Sequence, residues 1–136
     1  MKKRYIIISV AVVSVLTILL ACWIFLPVRV HLDENETATL SYKVNGKDIQ
    51  ANLNQEETAV VAEILNGKIP LMDIGRSCGF STDVSIAIDG KTYCLAMDKC
   101  GSMQIAYTAR YITLTEEERV QIEEIFATYG GTFPCV

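Results

Sequence analysis

The segment LSYKVNGKDIQANLNQEETAVVAEILNGK, residues 40–68, decides how this chain folds. Leu40 and Tyr42 alternate with Ser41 and Lys43, Asn45-Gly46 follows, and Ile49 and Ala51 alternate with Asp48 and Gln50 beyond it. Asn-Gly supplies two successive residues that tolerate positive φ, as a two-residue type I′ turn requires, so the stretch reads as a β-hairpin. That turn sets the register, with Tyr42 facing Ile49 and Leu40 facing Ala51, and gives the hairpin one apolar and one polar face. Asn54 then opens a helix with Glu57 as its capping-box partner, and Val60, Val61, Ile64 and Leu65 form the apolar stripe. A hairpin with one greasy face, followed by an amphipathic helix, buries both by laying the helix on the sheet.

The same grammar recurs downstream. VSIAIDGKTYCLAM, residues 84–97, repeats the hairpin around Asp89-Gly90, with Ile86 facing Tyr93 and Val84 facing Leu95. Thr115 and Glu118 then make a second capping box, and Ile122, Ile125, Phe126 and Tyr129 recur at i, i+3, i+4 and i+7. MQIAYTARYITL, residues 103–114, is rich in β-branched and aromatic residues and supplies a further strand or two. Residues 69–81, with Pro70, Gly75 and Gly79, read as a connection holding one short element at most. The expected fold is α+β: an antiparallel sheet of five or six strands with two helices on one face, its halves reading as a ββα duplication.

Ahead of this domain, residues 5–28 carry no charge and are dominated by Ile, Val, Leu and Ala. About 24 positions at 1.5 Å rise give roughly 36 Å of helix, enough to cross a bilayer. Lys2, Lys3 and Arg4 precede the run, against Arg29 beyond it, which predicts a cytoplasmic N-terminus and an exported remainder. Tyr5 and Trp23 lie toward the two ends, as interfacial aromatics do. The reading is a basic cytoplasmic tip (1–4), a transmembrane signal-anchor (5–28), a juxtamembrane linker (29–36) and an extracytoplasmic domain (37–136) in the cell membrane, of bacterial type. Leu19-Leu20-Ala21-Cys22 offers a lesser alternative, a lipobox with Cys22 as the lipidated residue, but the apolar run continues through Trp23-Ile24-Phe25-Leu26 where a processed lipoprotein turns polar. The sequon Asn35-Glu36-Thr37 matters only in a host that glycosylates exported proteins.

Beyond residue 30, eight lysines and arginines stand against all sixteen carboxylates, which leaves the domain at −8 with His31 neutral. Such a surface repels phosphate backbones, so nucleic acid is excluded as a partner, and a protein partner is expected. Cys78, Cys94, Cys100 and Cys135 form an even set, read as two disulfides. Three connectivities exist. Extending the second hairpin outward pairs Gly79 with Cys100 and brings Cys78 beside it, favouring Cys78–Cys100 and leaving Cys94–Cys135, whereas closure of the Cys94-to-Cys100 loop on itself is the rival. No C-x₂₋₄-C pair is present, so neither a zinc knuckle nor a redox motif is expected, and no cofactor is called for.

The only histidine, His31, lies in the linker, so no histidine-based nucleophile system can form inside the domain. Asp73 with Asp83, or Asp89 with Asp98, are the carboxylate pairs that would serve a hydrolase acting on wall or surface polysaccharide, although acids beside turns usually form those turns. Glu116, Glu117 and Glu118 suit the first turn of a helix and lack a calcium loop. The expectation is a non-catalytic, membrane-tethered protein-binding or regulatory module with Tyr107 and Tyr111 on its binding face. The alternatives are that hydrolase or a structural subunit of an envelope complex.

Overall fold

The computed structural model describes residues 2–26, 28–33 and 36–135; Asn35 of the sequon and the Trp23 side chain lie outside the described part. Helix α1 spans Lys2–Phe25, and its Tyr5–Cys22 stretch, exposed throughout, is long and apolar enough to cross a membrane or to serve as a signal sequence. Cys22 sits within this helix, exposed.

The remainder is a seven-stranded sheet with two helices. Its strands are β1 (Thr39–Val44), β2 (Lys47–Asn52), β3 (Leu71–Met72), β4 (Phe80–Ile88), β5 (Lys91–Ala96), β6 (Ser102–Ile105) and β7 (Arg110–Thr113). Helix α2 (Gln55–Leu65) follows β2 and α3 (Glu116–Thr128) follows β7. The sheet order is β2-β1-β4-β5-β6-β7-β3, and each neighbouring pair is antiparallel. Against the five or six strands expected, the additional one is the two-residue β3, inside the segment read as a connection.

Both hairpin turns form as their residues require, with φ of 54° and 76° at Asn45-Gly46 and 49° and 66° at Asp89-Gly90. Tyr42 pairs with Ile49, Leu40 with Ala51 and Ile86 with Tyr93, as the turns dictate. The hairpins then join through β1 and β4, with Leu40 opposite Ile86, Ser41 opposite Ser85 and Tyr42 opposite Val84. Ser41 and Ser85 each stand four residues before their turn, so the two hairpins are related by a local two-fold axis between these serines.

The second hairpin departs from its expected register beyond Ser85. Val84 does not pair with Leu95; the ladder jumps from Ser85–Cys94 to Phe80–Ala96. The Ser85 hydroxyl donates to the Thr82 carbonyl at 2.6 Å, a local bond that competes with the ladder and lets β4 bulge. Gly79 therefore accepts from the Met97 amide, at 2.9 Å, and does not reach Cys100 as a strand partner.

One face of the sheet carries the core. Leu40, Tyr42, Val84, Ile86, Tyr93, Leu95, Met103 and Ile112 are buried there with Val61 and Leu65 of α2 and Ile122 and Phe126 of α3. The helices run antiparallel and are tied at both ends: Tyr129 Oη donates to Glu57 at 2.7 Å, and Lys68 Nζ donates to Glu118 at 2.7 Å. Both capping boxes form, on Asn54–Glu57 and Thr115–Glu118.

Residues 30–32, within the segment read as a linker, pack against the domain. Val30 and Leu32 are buried in the core, while His31 between them is exposed. Val30 exchanges backbone hydrogen bonds with the α2–β3 connection, its N–H to the Lys68 carbonyl (2.9 Å) and its carbonyl from the Gly67 N–H (3.0 Å). The Asn66 amide binds both backbone groups of Leu32, accepting at 2.7 Å and donating at 3.1 Å. The packed domain thus begins at Val30, where alternation of Val30, His31 and Leu32 is too short a pattern to read as structure. Replacement of Asn66 by Ala leaves the Leu32 N–H and C=O half-buried without partners, and is expected to cost about 1–3 kcal/mol in urea unfolding and to raise amide exchange at residues 30–32 first.

Candidate interaction surface

The face of the sheet away from the helices is crossed by one register row: Gln50, Ser41, Ser85, Cys94, Gln104, Tyr111 and Leu71. Tyr111 lies in this row and is only 9% exposed. The Phe80 ring lies 5.3 Å from it, centroid to centroid, and the Arg76 guanidinium sits 5.2 Å above its ring, held in place by Asp73 at 3.2 Å. Gln104 Nε2 donates to the Tyr111 hydroxyl at 3.3 Å. The β4 bulge and the 73–79 connection thus cover Tyr111.

Tyr107 lies elsewhere, at the apex of the β6–β7 turn, 94% exposed with φ of 60°. Bonds from Gln104 Nε2 to the Thr108 carbonyl, from Thr108 Oγ1 to the Ile105 carbonyl and from the Arg110 N–H to Thr108 Oγ1 lock that turn. Neither burial nor backbone geometry favours a tyrosine here; asparagine or glycine would adopt this φ more cheaply.

The two edges of the sheet differ in kind. Edge strand β2 carries Lys47, Asp48, Gln50 and Asn52, the polar dressing that discourages strand addition. Edge strand β3 carries Leu71 (61% exposed) and Met72 (49%), and Ile74 beyond it is 87% exposed. Asp73 N–H donates to the Ala109 carbonyl, which places Ile74 toward the Tyr107 turn. The signal in the sequence was IPLMDI, residues 69–74, with large apolar residues crowded into a stretch that has no helical or strand period to bury them.

The cysteines divide by face. Cys78 and Cys100 are joined in a disulfide. Cys94 and Cys135 are buried and free, so the second expected bridge is not formed. Cys94 lies in the outer row of the sheet, whereas Cys135 packs into the helix-side core with its N–H on the Met97 carbonyl at 2.9 Å, so the sheet separates them. Cys78, Asp98 and Cys100 are the one trio of metal-ligand type among the described residues, with ligand atoms within 4.8 Å of one another; the two sulfurs are consumed by their bond and Asp98 accepts the Cys100 N–H.

The carboxylates considered for hydrolysis are occupied locally: Asp73 by Arg76 and the Gly75 N–H, Asp98 by Cys100, and Asp89 in its hairpin turn. Asp83 is exposed on the bulge. No protein-family model matches the chain, and comparison with curated proteins and with solved structures returned no match.

Burial pushes the Cys94 thiol up from the ordinary 9.0 to about 11, and burial likewise raises that of Cys135. The folded chain therefore holds the Cys94 proton longer than the unfolded chain does. This contribution to stability is complete below the unfolded value and is lost as pH rises from there toward about 11. Urea midpoints are expected to fall over that window in the wild type and to fall less in Cys94→Ala, and iodoacetamide should modify Cys94 and Cys135 at least ~10-fold faster after unfolding than before.

Proposed function

We propose that this chain is a single-pass membrane protein whose N-terminus is cytoplasmic and whose α+β domain is a non-catalytic, extracytoplasmic binding module that docks another protein on its β3 edge. The observation that carries this reading is the asymmetry of the sheet: one edge is defended by charge, and the other presents Leu71, Met72 and Ile74 to solvent. An unprotected apolar edge in a domain of net charge −8 is a cost in solubility unless something covers it. A protein is the fitting occupant because a sheet edge offers main-chain N–H and C=O groups as well as apolar side chains, the combination used in strand addition. Tyr107, fixed at the neighbouring corner, adds a rigid amphipathic contact. The anchor reading is supported by the uncharged, exposed Tyr5–Cys22 stretch of α1 and by Lys2, Lys3 and Arg4 ahead of that stretch.

A photo-crosslinking residue at Ile74 in the full-length chain in its native envelope is expected to give one discrete adduct. Leu71→Asp should reduce that adduct at least ~10-fold, since a buried, unpaired carboxylate replaces an apolar contact. The same probe at Asp48 on the β2 edge should give none. Equal adducts at both edges, or an Ile74 adduct indifferent to Leu71→Asp, would remove the β3 edge as the docking site.

A further inference from the structure

Val28, the last residue of the uncharged N-terminal run, does not stand clear of the domain. With Arg29 and Val30 it lines a cavity walled on the other side by Lys91, Ile105 and Arg110. The chain leaving α1 therefore lies against the end of the sheet where β6 turns into β7. If α1 spans the bilayer, that end rests at the lipid headgroups, and this inference rests on that anchored reading.

The β6–β7 turn projects from this end and is tied to β5 by the Ala106 N–H, which donates to the Thr92 carbonyl at 2.8 Å. Tyr107 stands two residues beyond the cavity-lining Ile105, a reach of at most ~7 Å. The headgroup layer is itself roughly 5–8 Å deep on each side of the hydrocarbon. An apex so near the point where the chain leaves the membrane stands at the level of that layer.

The composition of the turn suits lipid better than water. No charged residue occurs between Lys99 and Arg110, so Ala106, Tyr107, Thr108 and Ala109 can leave water without stripping an ion of its hydration. The other hairpin connections all carry charge: Lys43, Lys47 and Asp48 flank Asn45-Gly46, Asp89 and Lys91 frame Gly90, and Asp98 and Lys99 lie between β5 and β6. Tyr107 is also the most exposed large apolar or aromatic side chain among the described residues, at 94%, in a backbone conformation that glycine or asparagine adopts at less cost. A tyrosine kept in such a position contributes nothing to packing within the domain. Its flat apolar body and single hydroxyl are what concentrate tyrosine at the boundary between bilayer and water. The bonds through Gln104 and Thr108 already hold the apex, so seating the ring requires little further ordering.

We propose that the β6–β7 turn is a second membrane contact, with the Tyr107 ring seated in the headgroup region of the leaflet from which α1 emerges. Two points of attachment then fix the tilt and rotation of the domain, which one tether cannot do, and the β3 edge above the turn remains open to a protein.

The test moves the chain's one tryptophan to the turn: Tyr107→Trp with Trp23→Phe, full length, in phosphatidylcholine nanodiscs. Asp48→Trp in the same background places it on an exposed strand at the other end of the sheet and controls for tryptophan's own affinity for the interface. Phospholipids brominated on the upper acyl chain should quench the Tyr107→Trp chain at least ~2-fold and leave the Asp48→Trp chain unchanged, as a ring held at the interface requires. Aqueous iodide should quench the Tyr107→Trp chain at least ~3-fold less than the Asp48→Trp chain. Equal iodide quenching of the two without quenching by brominated lipid overturns the proposal, and so does equal quenching of both by brominated lipid, which reports a domain with no preferred end toward the membrane. Alkaline carbonate extraction of the wild type checks the anchor separately. A chain released from membranes refutes the anchored reading and the proposal with it, whereas a chain retained while residue 107 stays in water refutes the turn contact alone.

Discussion

The attachment of residues 30–32 to the end of α2 is the constraint on which the rest of the structure depends. Val30 and Leu32 enter the core, Lys68 and Gly67 pair with Val30, and the Asn66 amide satisfies both backbone groups of Leu32. A polar spacer would let the domain tumble at the end of a tether. This attachment instead removes the freedom of the segment nearest α1 and gives the domain a defined end toward the helix. Val28 to Val30, Pro70, Lys91 and Arg110 all belong to that end. The Asn45-Gly46 turn belongs to the other, because β1 runs antiparallel to β4 and starts where β4 finishes.

The sheet above that attachment is organised around a symmetric centre with unequal flanks. Two hairpins meet across Ser41 and Ser85 in equivalent register, and each contributes alternate apolar residues to the helix-covered face. Symmetry ends there. The first hairpin finishes in the charged edge β2, while the second is extended by β6, β7 and the apolar edge β3. The open face is likewise divided, polar around Gln50 and Ser41 and closed by Phe80, Arg76 and Tyr111 farther along. This asymmetry is what the proposed docking on the β3 edge rests on.

How much of this was legible follows from which interactions are local. Turn chemistry and capping are encoded within a few residues, so both hairpins, their registers near the turn, both helices and both capping boxes could be read directly. The β4 bulge could not, because it depends on a serine hydroxyl choosing a nearby carbonyl over the ladder. The Cys94–Cys135 pairing failed for a related reason: counting cysteines says nothing about which side of a sheet each sulfur occupies. Tyr111 and Tyr107 were grouped by their spacing, and the turn between them sends one to an apex and the other under Phe80. The roles of Val30 and Leu32 were invisible for want of period, since a two-residue contact leaves no pattern to detect. The candidate edge at β3 was hidden by Pro70 and Gly75, which made an apolar strand look like a loop.

The proposal most open to direct measurement is that α1 anchors the chain and the domain is held against the bilayer in one orientation, with the Val30 end down. Nitroxide labels placed singly at residue 107 and residue 45 of the full-length chain, in nanodiscs containing a nickel-chelating lipid, measure this directly through relaxation by the surface nickel. These positions lie at opposite ends of strands that span about 20 Å at ~3.3 Å per residue. The account predicts strong relaxation at residue 107 and weak relaxation at residue 45. Equal relaxation at the two positions, or the reverse order, would contradict it.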